Sequence, residues 1–366
     1  MNIIQNRKIY FTISSILVAA SIIVVLAFGF NLGIDFTGGS LMEIRANQDI
    51  EISNSDIETI LTSPKDTEDP NAEPVQALLE SIKIQPTGER GFLLRFKDVT
   101  EDEHQAILSV LNIEFAKQLP DTEEPNQAEQ ESQSAADSGV VATDMDGNPV
   151  DLKIITEPFA ESSATTIVGK NAIEEMRFES IGPIVGQELK DKALEAILAV
   201  LAAIILYIAW AFRKVSDPVS SWKYGVTAII ALAHDVIIPT GIFVLLGHFM
   251  NVELDILFVT ALLTILGFSV NDTIVVFDRT RENLARDHHK HDFEFIVNKS
   301  VNETIRRSIN TSLTTFVVLL SIYLFGGETI KNFILALMIG VVVGTYSSIF
   351  LASPLLVVWE KWSRRD

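Results

Sequence analysis

Apolar residues run without a charged side chain from Ile9 to Phe30, and a run of about 20 such residues is long enough for a helix to cross the hydrocarbon core of a bilayer. Comparable runs recur at 193–212, 224–246, 254–277, 309–325 and 333–358. The pattern therefore predicts six transmembrane helices, the second continuing from a helix over Gln187–Lys192. A cleavable signal peptide is the competing reading of the first run, because Ala27-Phe28-Gly29 has the small-x-small form of a cleavage site. The run is long for the apolar part of such a peptide, which favours a span.

Residues 31–192, between the first two runs, show shorter periods. Leu41–Ala46 alternates as a strand does, after Gly38-Gly39 at a turn. A helix is expected over Ser55–Thr62, with a further helical piece at Val75–Ser81. Ile82–Gln85 and Phe92–Lys97 read as a hairpin across Thr87–Gly88. Thr100 and Glu103 have capping-box spacing ahead of Ile107, Val110, Leu111 and Phe115, so a helix starts there. Val150–Thr156 reads as the last strand. The order β-α-β-β-α-β predicts an α+β ferredoxin-like domain. Two stretches, 63–74 and 120–149, are rich in Asp, Glu, Ser, Gln, Asn and Pro; too apolar-poor to offset ordering entropy, these acidic inserts read as disordered or loosely ordered loops.

Charge sharpens this division. The formal net charge is -20 while the mean hydropathy is +0.30, and nearly all the acidic excess lies between Asp35 and Asp191. Lys and Arg gather at Arg7/Lys8, Arg213/Lys214/Lys223, the 278–308 loop and the tail 359–366. The positive-inside rule then puts both termini, residues 1–8 included, in the cytoplasm and the acidic domain outside, with Lys331 the one basic residue on the other side. The chain has no cysteine, which excludes disulfide and thiolate-metal chemistry. No HExxH pattern, phosphate-binding loop or dinucleotide fingerprint is present. No metal, cofactor or nucleic-acid partner is expected, nor an enzymatic activity, and the energy for any work comes from elsewhere.

Polar residues inside apolar runs are the candidate chemistry. Asp272 lies in the fourth run, about 9 Å of helix from the Asp278/Arg279 boundary, with Ser269, Asn271 and Thr273 able to bond its shell or hold water. It marks either a functional site or a carboxylate paired structurally within the bundle. Arg306 and Arg307 enter the fifth run ahead of Thr311 and Ser312; they either swing between a carboxylate and the aqueous edge or anchor the helix at the interface. His234 and Asp235 in the third run either relay protons or brace the fourth span. Gly340-xxx-Gly344 with Thr345, Ser347 and Ser348 reads as a close-packing face, and Gly267 as a second.

With these residues in view, NLGIDFTGGS (Asn31–Ser40), SIGPIVGQEL (Ser180–Leu189), AHDVIIPTGIF (Ala233–Phe243), LGFSVNDTIVVFDRTREN (Leu266–Asn283), VNETIRRSINTSLTT (Val301–Thr315) and GVVVGTYSSIFLASP from Gly340 resemble the SecD/SecF family of the resistance-nodulation-division superfamily. The resemblance implies a six-helix bundle of that superfamily's type in the cytoplasmic membrane, pairing with SecD and working beside a SecYEG-type channel on unfolded preproteins. It implies that Asp272 moves a proton or sodium ion and that Arg307, in Thr304–Ser312, is its partner. Arg306 stands where the family often has another residue, and the acidic inserts depart from the pattern. Other readings are half of a small-molecule or lipid exporter of the same superfamily, an intramembrane aspartyl protease using Asp235 and Asp272, and a scaffold. The single outer domain argues against the first, and the absence of a Gly-x-Gly-Asp context against the second.

Overall fold

The computed structural model describes residues 2–47, 52–62, 82–87, 90–97, 99–117, 172–211, 221–287 and 291–363. They form two compact units, one of Met1–Ser40 with Ser180–Asp366, the other of Leu41–Glu179.

The first unit is helical: α1 (Arg7–Phe28), the short α2 (Ile34–Thr37), α5 (Pro183–Ala211), α6 (Ser221–Met250), α7 (Ile256–Asp287), α8 (Phe293–Phe325) and α9 (Glu328–Ser347), which passes through a π turn (Ser348–Ala352) into α10 (Ser353–Ser363). Six helices among the described residues are long and apolar enough to cross a membrane, with the last formed by α9, the π turn and α10 together. α7 lies against α6, α8 and α9. In the core, Tyr224 meets Phe277 edge-on at 5.2 Å, among Ile3, Leu266, Val276, Ile296 and Leu356. α1 and α5 leave most of their apolar side chains uncovered, Leu26 and Leu198 among them.

Small residues set how closely these helices approach. A Cβ on Gly340 would fall 2.2 Å from the Ile265 side chain, and one on Gly344 3.0 Å from Ser269, so α9 lies on α7 along the glycine face the sequence suggested. Gly267 does not share this role: a Cβ there meets nothing within 4 Å. On α6, a Cβ on Gly241 would sit 2.4 Å from the Ser21 Cβ and 2.7 Å from the Ser21 Cα of α1. Gly241→Ala therefore forces α1 and α6 apart and costs about 1–3 kcal/mol, as overpacking does, read as a lowered melting temperature in detergent. Ser21→Gly in the same chain does not restore it, since the Cα remains in the way.

The segment 278–308, read from sequence as a loop, is mostly helix: α7 continues to Asp287 and α8 begins at Phe293. Charged residues at i, i+3 and i, i+4 support these extensions. Arg279 pairs with Glu282 at 2.5 Å and with Glu303 of α8 at 2.6 Å, and Asn283 donates to Ser300 at 2.9 Å. Arg7 of α1 meets Glu294 at 2.8 Å, and Lys361 of α10 pairs with the same carboxylate.

At the opposite end of α7 the chain leaving α1 is tied down. The Leu254 N–H donates to the Asn31 carbonyl (2.8 Å) and the Gly33 N–H to the Leu254 carbonyl (2.9 Å). The Asp35 carboxylate accepts from the Ile256 N–H at 2.8 Å, capping α7. Gly38, at φ 72° and ψ 169°, packs against Pro183 at the start of α5, where a Cβ would lie 2.7 Å from the proline Cα. The Ser40 and Ser180 hydroxyls bond at 2.7 Å.

The second unit contains β1 (Gly39–Ala46), α3 (Asn54–Thr62), β2 (Lys83–Thr87), β3 (Gly91–Phe96), α4 (Glu101–Ala116) and β4 (Ile173–Ile181), in the expected β-α-β-β-α-β order. The sheet order is β2-β3-β1-β4, and β2 pairs antiparallel to β3 from Lys83↔Arg95 to Thr87↔Gly91. Pro86 sits in the edge strand, where its missing donor is tolerated. Met42, Ile44, Leu94, Ile107, Leu111 and Phe115 form the core. The capping box is made: the Glu103 N–H donates to Thr100 Oγ1 at 3.4 Å, and the Thr100 N–H to Glu103 Oε2 at 2.7 Å. The expected helix at 75–81, the strand at 150–156 and the acidic inserts lie outside the described residues. The strand that completes the described sheet, IEEMRFESI, carries polar residues on both faces, so alternation does not reveal it.

Candidate functional site: two buried carboxylates

Asp272 and Asp235 come from neighbouring helices, and each is held by hydroxyls. Asp272 lies on the buried side of α7, 8% exposed. Its Oδ1 accepts from Ser308 of α8 at 2.6 Å and its Oδ2 from Ser348, at the π turn, at 2.8 Å. One carboxylate thus joins three elements. Asp235 of α6 is fully buried. Its Oδ1 meets His234 Nδ1 at 2.9 Å, and its Oδ2 accepts from Ser347 of α9 at 2.6 Å and from Ser269 of α7.

The surroundings of Asp272 differ from the expectation. Arg307, the expected partner, is exposed, as is Arg306, and no Lys or Arg pairs with Asp272 among the described residues. The reason is helical phase: Thr304, Ser308 and Ser312, four residues apart, share the buried face of α8, which turns Arg306 and Arg307 outward. The residue that reaches Asp272 is Ser308, next to Arg307. Asn271 is exposed too, about 100° around the helix from Asp272. Thr273 is buried, and Ser269 serves Asp235 rather than Asp272. Thr311 donates to the Arg307 carbonyl at 3.0 Å, and Ser312 bonds Thr345 of α9.

Ser308, Ser347 and Ser348 are the site residues that sequence reasoning passed over or assigned to packing. The four-residue recurrence at 304, 308 and 312 was the available signal for Ser308. For the serine pair there was none, since in a regular helix adjacent residues point about 100° apart. Here one serves Asp235 and the other Asp272, at the place where the helix loosens into its π turn.

This arrangement suits ion binding. A buried carboxylate met only by hydroxyl donors has no counter-charge, and such a charge is expensive unless a proton or cation neutralises it.

Comparisons with known proteins agree with the membrane architecture. The family described as "Protein export membrane protein SecD/SecF, C-terminal" matches residues 161–362, and the "SecD/SecF GG Motif" matches residues 23–50, which include Gly38 and Gly39. The protein translocase subunit SecF of Thermobaculum terrenum is 38% identical over 361 residues, covering 98% of this chain and 94% of that protein. That of Anaerolinea thermophila is 32% identical over 372 residues, covering 100% and 96%. The crystal structure of SecDF, a translocon-associated membrane protein from Thermus thermophilus, aligns with a TM-score of 0.68 at 29% identity, over 99% of this chain. This chain spans 39% of that longer one. Six membrane-length helices, the Gly38-Gly39 turn and the matches to these relatives lead to one conclusion: the chain is a multi-pass membrane protein belonging to the SecD/SecF family of protein export membrane proteins.

Proposed function

We propose that this chain is a SecF-type subunit of the Sec protein-export machinery that, paired with SecD, couples a proton or sodium gradient to late steps of preprotein translocation across the cytoplasmic membrane. The observation that carries the reading is Asp272, buried in an apolar helix of membrane-spanning length and fastened to α8 and the π turn by Ser308 and Ser348 with no cationic partner among the described residues. Both hydroxyls donate to the ionised carboxylate. When a proton binds, the new O–H needs an acceptor, and Ser348 can supply it by turning its own hydrogen to the Thr345 carbonyl, 3.0 Å away. The junction of α7, α8 and the π turn is then held differently in the two states.

α7 is a stiff connection from this junction to the far side of the bundle, where Asp35 caps it beside the Gly38–Pro183 packing. A change at Asp272 would reach the outer, ferredoxin-like unit along that path. The distribution of Lys and Arg supports placing that unit outside the cytoplasm, with both termini inside. The uncovered apolar faces of α1, α5 and α8 suit a SecD chain or lipid, and the substrate is an unfolded preprotein leaving a SecYEG-type channel. The cation is transported rather than held as a cofactor.

Export into vesicles carrying this chain with SecD and the channel distinguishes the ions. Collapsing the proton gradient alone is expected to slow the late phase of export to the level without any gradient, whereas collapsing a sodium gradient alone leaves it unchanged. The reverse result makes sodium the driving ion; indifference to both removes the coupling.

A further inference from the structure

Asp235 takes no part in the scheme above, yet it is more completely enclosed than Asp272. Three observations mark it as more than a brace. His234 Nε2, on the imidazole that meets Asp235, is buried without a hydrogen-bond partner. Pro239 has no N–H, so the Asp235 backbone carbonyl lacks its donor four residues on. Asp235 also reaches Asp272 through consecutive residues, Ser347 donating to one and Ser348 to the other.

Each of these serines has one hydrogen and two acceptors in range. Ser347 can donate to Asp235 or to the Gly344 carbonyl at 3.0 Å, and Ser348 to Asp272 or to the Thr345 carbonyl at 3.0 Å. Both sit where α9 gives way to the π turn Ser348–Ala352, with Ser353 donating back to the Ser348 carbonyl at 3.1 Å. Single π turns recur at functional sites.

We propose that Asp235 is a second proton- or sodium-binding carboxylate, linked to Asp272 through the Ser347–Ser348 hydroxyl pair. The inference rests on Asp272 being the coupling carboxylate. Occupation of Asp272 turns Ser348 toward Thr345 and shifts the peptide it shares with Ser347, which alters the hydroxyl offered to Asp235. The proton balance closes at His234: Nε2 takes up one proton as Nδ1 passes its own to Asp235 Oδ1, and the imidazole ends neutral in its other tautomer. A sodium ion would instead find the carboxylate, the freed carbonyl and the hydroxyls, all hard oxygen donors.

Along the apolar lengths of the elements packed on α6, the titratable groups are Tyr10 of α1, Glu195 and Tyr207 of α5, Asp272 of α7 and Tyr346 of α9. The Tyr346 ring stacks on His234 with centroids 6.1 Å apart. The π turn has none, and Glu360 of α10 lies beyond its apolar stretch.

Infrared difference spectroscopy of the full chain with SecD, titrated with protons and separately with sodium at fixed pH, tests the linkage. Two carboxyl bands are expected, one lost in Asp272→Asn and the other in Asp235→Asn. Binding at either carboxylate changes affinity at the other, so removing one carboxylate displaces the midpoint of the surviving band. Ser347→Ala, which keeps both carboxylates and spares the fold if Asp235→Asn does not, shifts the Asp235 band and moves the Asp272 midpoint as well. A titrating Asp272 band whose midpoint is the same in wild type, Asp235→Asn and Ser347→Ala overturns this proposal alone. A chain in which Asp272 shows no titration by either ion overturns the coupling role of Asp272 and this linkage with it. Response to one titrant and not the other names the ion.

Discussion

Asp272→Asn is expected to stop gradient-dependent export while leaving the protein inserted and folded. Asparagine has nearly the volume of aspartate, and its carbonyl oxygen still accepts from Ser308. What disappears is the ability to gain and lose a charge. A membrane potential contributes about 2.3 kcal/mol per charge per 100 mV, a bias of roughly 50-fold in a two-state equilibrium. With no charge to move, the late phase of export should fall by about that factor, to the rate seen with the gradient collapsed. The substituted chain should still co-purify with SecD and keep its melting temperature, because the three-element junction at residues 272, 308 and 348 keeps at least one of its two hydrogen bonds. Export that still accelerates with the gradient in Asp272→Asn would falsify the coupling role.

Gly38→Ala should be severely damaging, because strain and overlap add at one position. At φ 72° and ψ 169° the backbone occupies a region open essentially to glycine, and other residues held there are strained by about 1–3 kcal/mol. The added Cβ would also stand 2.7 Å from the Pro183 Cα and 3.0 Å from its nitrogen, atoms of the backbone that cannot rotate aside. One of the two chain segments must move, and the neighbouring Gly186 leaves as little room, since a Cβ there would stand 2.9 Å from the Gly38 nitrogen. The expected result is a steep fall in folded protein recovered from membranes and early proteolysis between α1 and α5. Gly267→Ala is the control: nothing lies within 4 Å of its Cβ, and alanine is the better helix former by about 1 kcal/mol, so this chain should melt no lower than wild type. Equal stability of the two variants would show that Gly38 tolerates a side chain.

The large-scale pattern of this protein was written in its hydrophobicity. Apolar runs long enough to cross a bilayer became membrane-length helices, and the alternation and capping signals between the first two became the described sheet and its helices. Asp272 was visible because a carboxylate in such a run has few innocent explanations. Its surroundings were not visible, for a reason of phase. Arg307 carries the charge that suggests a partner, but on α8 that position faces outward and Ser308 faces in. A sequence shows which residues could neutralise a carboxylate; it does not show which will point at it. The serine pair was hidden further, since adjacent positions, about 100° apart on one helix, reach carboxylates carried by two different helices. β4 was missed because its glutamates and arginine blur the two-residue period that marks a half-buried strand.

The bond between Ser40 and Ser180, next to the packing of Gly38 on Pro183, has a consequence for how such a chain can evolve. It brings the two ends of everything from Leu41 to Glu179 to a single place. The entropy of closing that long excursion is met at its base, and a further doubling of its length adds only about 0.6 kcal/mol. Insertions there are thermodynamically almost silent, whereas a single methyl at the base is not. Lineages can therefore enlarge or shrink the segment from Leu41 to Glu179 without renegotiating the helical bundle, and variation in size should collect between the two serines rather than at the clasp they form.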